Sequence, residues 1–164
     1  MQLSEVNAMA AADFLIAFGD IAEHSPWVAR HAAARRPFAS RAAMIAAFEE
    51  ALNSAARESQ LGLIRAHPDL ATRAKLGGES AREQAGAGLD TLTPADLTSF
   101  THLNELYKAK FDFPFIFAVK GASKHQILEG FAERVNHTPE QEFAIALAQI
   151  CRIFRFRIED RVAV

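Results

Sequence analysis

Apolar side chains recur every three or four residues along most of this chain, which is the spacing of helices with one buried face. The stretch SRAAMIAAFEEALNSAA is an example, and its apolar face consists of Met44, Ile45, Phe48 and Leu52. Alanine is abundant and β-branched residues are sparse, which further favours helix. The pattern therefore predicts an all-α fold, a single-domain helical bundle over residues 1–164.

Capping signatures mark helix starts at Thr93, Ser123 and Thr138. The first and third are followed directly by proline, and the second and third have glutamine three residues later. The last helix is predicted to run from about residue 139 to the end of the chain. Its apolar stripe consists of Phe143, Leu147, Ile150, Phe154 and Ile158.

One segment departs from the helical pattern. FDFPFIFAVKG, residues 111–121, is aromatic and β-leaning and contains Pro114. A strand needs a partner, and no other segment has the pattern of a strand. We therefore predict an extended segment, about residues 111–120, packed between helices.

Composition excludes several classes of partner. The formal charge is −2, without a block of like charge, which argues against nucleic acid as the main partner. One cysteine, Cys151, allows no internal disulfide and fits a reducing, cytoplasmic setting. No apolar run reaches the roughly 18 residues of a membrane span, and the opening MQLSEVNAMA lacks a signal-peptide pattern. The histidines show no metal-ligand spacing, so no metal site is predicted.

His67 is the first candidate for chemistry. It precedes Pro68, so the helix before it should stop at Ala66, and its imidazole can exchange protons near neutral pH. The alternative is an exposed histidine in a turn, with Asp69 paired to Arg73. The triplet HPD also occurs in chaperone J-domains, which leaves a helical binding or adaptor module as an alternative function.

A second candidate is the stretch ESAREQAGAGLD, residues 79–90. Ser80 and Glu83 have the S-x-x-E spacing of a capping box at a helix start. The same residues, with Gln84 beside them, could instead hold an anionic ligand, because helix N-termini attract negative charge. The spacing alone leaves both interpretations open.

Arg157 is the third candidate. At about 100° per residue it falls on the apolar side of the last helix. A buried arginine needs an anionic partner. That partner is either a carboxylate of the protein or a carboxylate of a ligand, and both interpretations stay open at this point.

Taken in order, these motifs resemble the 2-oxo-4-hydroxy-4-carboxy-5-ureidoimidazoline (OHCU) decarboxylase family of urate breakdown. The resemblance covers nearly the whole chain and rests on LSEVNAM, AHPDLA, ESAREQAGAGLD, LNELYKAKFDFPFIFAVKG and FRFRIEDRV. It implies an all-helical homodimer that needs no metal or organic cofactor. It also implies a small-molecule ureidoimidazoline substrate, which is decarboxylated to (S)-allantoin with stereospecific protonation. A family member acting on a related ureide is an alternative.

The resemblance also assigns roles to individual residues. It makes His67 the catalytic proton donor and Glu83 its acidic catalytic partner. The substrate-binding residues that it implies are Pro68, Ser80, Gln84, Phe115, Ile116, Phe117, Ala118, Val119 and Arg157. Asp112 departs from the family, which often has glycine before FPF, but both residue types tolerate turns.

Overall fold

The computed structural model describes residues 1–71 and 78–164, and the regular secondary structure of these ranges is entirely helical. This confirms the all-α class. The helices of these ranges are α1 (Leu3–Ala8), α2 (Ala11–Phe18), α3 (Trp27–Ala33), α4 (Arg41–Asn53), α5 (Arg57–Ala66), α6 (Gly78–Gly86), α7 (Pro94–Phe111), α8 (Lys124–Arg134) and α9 (Pro139–Arg161). Among them, none combines the length and hydropathy of a membrane span.

The backbone forms two compact units. The first comprises Met1–Ala66 and Leu147–Val164, and the second comprises His67–Ala146. Helix α9 therefore contributes its first turns to the second unit and its remainder to the first. One domain over residues 1–164 stays a prediction.

The first unit is built on a cluster of phenylalanines. The ring centroid of Phe14 in α2 lies 4.9 Å from that of Phe18 and 6.3 Å from that of Phe48 in α4. Phe48 in turn meets Phe154 of α9 at 6.2 Å. All four side chains are fully buried, and each contributes about 1.5–3 kcal/mol by leaving water. This core holds the part of α9 that carries Arg157 against α4.

The second unit has its own aromatic core around Tyr107 of α7. The ring of Tyr107 lies 5.4 Å from that of Phe115 and 5.9 Å from that of Phe131 in α8. Phe115 and Phe131 stack at 3.8 Å. Phe113 meets Phe143 of α9 at 6.5 Å. The extended segment is thus packed among α7, α8 and the start of α9, as predicted, although α7 continues one residue into the predicted range.

The three predicted caps are confirmed. The side-chain oxygens of Thr93, Ser123 and Thr138 accept hydrogen bonds from backbone N–H groups three residues later, at 3.1, 3.2 and 3.2 Å respectively. The pattern did not predict α1. Only Val6 of its six residues is buried, so its sequence carries almost no periodic signal.

Asp112 ends α7 and turns the chain into the extended segment. Its backbone is left-handed, with φ 60° and ψ 27°, and its N–H donates to the Lys108 carbonyl at 2.9 Å. Glycine and aspartate are among the residues that tolerate this conformation. The departure from the family's glycine therefore leaves the turn intact.

Candidate active site

Every predicted site residue except Arg157 belongs to the second unit, whose first residue is His67. Helix α5 ends at Ala66, as the proline at position 68 predicted. The His67 side chain is buried, since only 9% of the residue is exposed. The exposed-turn interpretation of His67 is therefore wrong. An adaptor would present this histidine to its partner on an exposed loop, so the burial of His67 also removes support for the adaptor alternative.

Asp69 is engaged by α7. Its Oδ2 accepts a hydrogen bond from Lys108 Nζ at 2.7 Å, whereas the predicted partner, Arg73, lies outside the described residues. Both side chains of the pair are partly exposed, so the pair contributes at most about 1 kcal/mol. The ion pair instead fixes the position of Asp69, because it links this residue to helix α7.

Ser80 and Glu83 both lie inside α6. The helix begins at Gly78, whereas a capping residue stands before the first helical residue. The capping-box interpretation of Ser80 and Glu83 is therefore wrong. Ser80 is buried and Glu83 is half-buried, and residues three apart are neighbours on a helix surface. Their side chains are thus placed on adjoining positions of one helix face.

A glycine turn ends α6. Gly88 has φ +79°, a conformation that glycine adopts without strain. Its N–H donates to the Ala85 carbonyl at 3.0 Å. The N–H of Leu89 donates to the Gln84 carbonyl at 2.9 Å. This pair of bonds is the Schellman arrangement, so the GAG sequence, which is costly inside a helix, acts here as its terminator.

A hydrogen bond between described residues joins the two predicted motifs. The Ala71 N–H, at the end of AHPDLA, donates to Gln84 Oε1 at 3.0 Å. Gln84 is only 6% exposed, so this bond is well shielded from water. The amide oxygen is an acceptor and is directed to the turn, and the Nε2 group is the donor that Gln84 can offer to a ligand.

The extended segment is held by Arg134 of α8. Arg134 Nη1 donates to the Ile116 carbonyl at 2.6 Å. The guanidinium carbon also lies 4.3 Å from the centroid of the Phe115 ring, which is a cation–π distance. Of the predicted pocket-lining residues, Phe117 is half-buried and the other four are buried. Arg134 thus fixes both the backbone and one ring of this segment.

Glu142 of α9 is the counter-charge of Arg134 and is completely buried. Its Oε1 accepts hydrogen bonds from Arg134 Nε at 2.9 Å and from the Tyr107 hydroxyl at 2.6 Å. His137 Nδ1 lies 2.9 Å from its Oε2. Burial and the adjacent Glu142 carboxylate raise the pKa of Tyr107 above its usual range, so the phenol stays protonated and donates.

We expect Glu142→Gln to lower the free energy of unfolding by about 3 kcal/mol, because it leaves the buried Arg134 without its negative partner. Urea unfolding followed by circular dichroism measures this loss. Glu159→Gln is the matched control, since Glu159 is an exposed acid on the same helix, and it should change stability by less than about 0.5 kcal/mol. Equal effects of the two substitutions would contradict a role for the buried network.

Arg157 is held within the first unit. Only 2% of the residue is exposed, as its place on the apolar side of the helix predicted. Its Nη1 lies 3.2 Å from both the Ile21 carbonyl and Glu23 Oε2. Glu23 therefore supplies the protein carboxylate that was one of the two predicted partners. Substrate binding by Arg157 stays a prediction.

A cavity of about 380 Å³ opens beside the turn after His67. Asp69 and Ala71 line it from the turn, and α7 lines it with Leu97, Thr101, Asn104, Glu105 and Lys108. This volume is in the range that small ligands occupy. Among the described residues, no three His, Cys, Asp or Glu side chains are grouped so that they could hold a metal ion.

Comparison with known proteins gives the family. The sequence model described as OHCU decarboxylase matches residues 7–159. The chain is 41% identical to the 2-oxo-4-hydroxy-4-carboxy-5-ureidoimidazoline decarboxylase of Haloferax volcanii, over 98% of this chain and 96% of that relative. This helical protein, which carries the motifs AHPDLA and ESAREQAGAGLD, belongs to the OHCU decarboxylase family.

Solved structures agree with the fold. A crystal structure of (S)-allantoin synthase superposes with a TM-score of 0.81 at 31% identity and covers 99% of this chain. The alignment covers 54% of that crystallised chain, so the present chain spans about half of its length. A crystal structure of OHCU decarboxylase in the presence of (S)-allantoin has a TM-score of 0.74 at 23% identity, over 88% of this chain and 95% of that one, and supports the fold alone.

Sequence reasoning missed three polar residues that hold the site segments, namely Asn104, Arg134 and Glu142. Asn104 lies on the buried face of α7 between Phe100 and Tyr107, at helical spacing. A polar residue within an apolar stripe is a usable signal, because burial requires it to find a hydrogen-bond partner. This signal predicted that Arg157 is buried with a partner, and it also applies to Asn104, Arg134 and Glu142.

Proposed function

We propose that this chain decarboxylates OHCU to (S)-allantoin and carbon dioxide in urate degradation. It is a carboxy-lyase. The observation that carries this conclusion is the match of the family sequence model over residues 7–159, a span that contains every predicted site residue. A relative 41% identical over nearly the full length of both chains supports the same activity.

The substrate's own ring can accept the electrons of the broken bond. As the carbon–carboxylate bond breaks, its electron pair forms a double bond between the two ring carbons. The pair of the ring C=N bond moves onto nitrogen, which takes up a proton. The resulting enol releases its hydroxyl proton to the surroundings and becomes a carbonyl, as another proton is added to the ureido-bearing carbon. The protein has to orient the carboxylate and deliver this last proton to one face.

His67 is proposed as the group that delivers this proton. Its position after the end of α5 and its burial place the imidazole away from bulk water. General acid–base catalysis by such a group is typically worth about 10²–10⁴-fold in rate. Single-face delivery accounts for a single enantiomer, whereas the spontaneous reaction has no reason to select one.

Glu83 and its neighbours on α6 are proposed to hold the substrate. Glu83 would hydrogen-bond the substrate or His67 and fix their geometry. Ser80 and the Gln84 Nε2 group would donate to substrate oxygens, where charge develops as the bond breaks. The hydrogen bond between Gln84 and the turn after His67 supports this assignment, because it makes the two segments neighbours.

The remaining contacts and properties are also proposals. Residues 115–119 would line the pocket together with Pro68, and Arg157 would bind the substrate. The homodimer, the cytoplasmic location and catalysis without a metal or organic cofactor follow from the family resemblance and the composition. Catalysis without a cofactor is further supported by the substrate itself, because its ring can accept the electron pair of the broken bond.

The activity is tested by generating the substrate in place from urate with the two preceding enzymes of the pathway and following allantoin by circular dichroism. We expect rapid formation of the (S)-enantiomer when the protein is present. Uncatalysed decay gives racemic allantoin and no signal. A trace equal to that of the protein-free reaction would refute the proposed function.

A further inference from the structure

A single peptide group is held from both sides in the turn after His67. Asn104 Nδ2 of α7 donates to the carbonyl oxygen of Leu70 at 2.9 Å. The N–H of the same Leu70–Ala71 peptide donates to Gln84 Oε1 of α6 at 3.0 Å. Both side-chain amides are more than nine-tenths buried. Two helices therefore fix the plane of one peptide, which we call the clamped peptide.

The clamped peptide precedes a strained residue. Ala71 has φ +56°, in the left-handed region that residues with a Cβ atom disfavour. Rotation of the Leu70–Ala71 peptide is the simplest way to release this strain, because it changes φ of Ala71. The two hydrogen bonds oppose that rotation, so the turn keeps its shape through contacts from outside it.

Asn104 makes only part of its possible hydrogen bonds. Its Oδ1 is buried and has no hydrogen-bond partner within residues 1–71 and 78–164. A buried polar atom in this state destabilises the fold, so an apolar side chain would serve packing better. The bond from Nδ2 to the Leu70 carbonyl is the contact that explains an amide at this position.

We propose that Asn104 is a positioning residue for the active site. By holding the clamped peptide it orients the amide of Gln84, so that Oε1 faces the peptide and Nε2 is left to donate to the substrate. Gln84 then selects acceptor groups, such as a carboxylate or carbonyl oxygen, over N–H groups. The same contact fixes the chain that leads back, within three residues, to His67. This inference rests on the proposed function.

A double-mutant cycle tests the proposal. In the coupled assay, Asn104→Ala and Gln84→Ala are each expected to lower kcat/KM by about 10- to 100-fold, the effect of a small misplacement of a reacting group. Both residues act through one peptide. The kcat/KM of the double variant should therefore lie within about threefold of that of the less active single variant. Losses that multiply would overturn the proposal.

Gln84→Glu separates the two roles of the Gln84 amide, whose oxygen accepts from the turn and whose NH₂ group is proposed to donate to the substrate. A carboxylate still accepts from the Ala71 N–H but, when ionised, has no donor for the substrate. We expect a raised KM in the Gln84→Glu variant, measured on protein that circular dichroism shows to be folded, whereas Gln84→Ala should lower both activity and melting temperature. An unchanged KM in Gln84→Glu would overturn the assigned orientation of the amide. Asn136→Ala, which removes an exposed amide of the same unit, is the control and should leave kcat/KM unaltered.

If Asn104→Ala does not fold, a second substitution, Ala71→Gly, is added to it. Glycine adopts the left-handed conformation without strain, so the combined variant should fold as the native protein does. Its kcat/KM should nevertheless stay at least about tenfold low, because the peptide is no longer oriented. Native kcat/KM in this folded variant would overturn the proposal. The clamp can also be tested without an activity assay: the loss of melting temperature in the double variant should be smaller than the sum of the losses in Asn104→Ala and Gln84→Ala. Additive losses would show that the clamp is absent, whereas a lack of turnover in the native protein would show that the proposed function is wrong.

Discussion

Replacing His67 by alanine is expected to lower kcat by about 10²–10⁴-fold, the usual contribution of a positioned proton donor. The allantoin that still forms should approach the racemic product of spontaneous decay, because no group then protonates one face. The measurement is the coupled assay from urate, with rate and enantiomeric excess both read by circular dichroism. Substrate binding should change less than kcat, because the imidazole acts in the chemical step.

His102→Ala is the matched control for His67→Ala. His102 is an exposed histidine on α7, and its loss should leave both rate and enantiomeric excess at native values. Melting temperatures of the two variants show whether either has lost its fold. A folded His67→Ala variant that keeps more than about a tenth of the native rate would be incompatible with general acid catalysis by this residue.

The second large effect is expected for Glu83→Gln, a loss of about 100-fold in kcat. The amide has almost the same shape as the carboxylate, but it carries no charge and cannot take up a proton. Glu83 lies inside α6 and does not cap it, and the amide keeps the volume and the acceptor oxygen of the carboxylate, so the melting temperature should stay near the native value. Stopped-flow turnover and thermal unfolding together measure the two quantities.

Asp90→Asn provides the comparison for Glu83→Gln. Asp90 is an exposed acid shortly after α6, so it controls for the loss of one negative charge from this region. Its turnover should equal that of the native protein. If Glu83→Gln also turned over normally, Glu83 would be a packing residue of α6, and the acidic partner of His67 would have to be sought elsewhere.

The helix starts at Thr93, Ser123 and Thr138 could be predicted because a cap is a local event, in which a side chain bonds to a backbone N–H three residues away. The same local rule failed at Ser80. Its spacing to Glu83 fits a capping box, but the helix had already begun at Gly78. A capping signature depends on the local sequence alone, whereas the true start of a helix also depends on what packs against it.

The sequence by itself determined the all-α class, the caps at Thr93, Ser123 and Thr138, the extended aromatic segment and the motifs that place this chain in its family. Each rests on periodicity, on neighbours within one helical turn, or on the order of residues. Only the tertiary structure decided that the Leu70 carbonyl meets Asn104, 34 residues away, and that Arg134 meets the Ile116 carbonyl, 18 residues away. Such contacts join residues that no local pattern relates. Burial makes them specific, because a buried polar group must find its partner wherever the fold provides one.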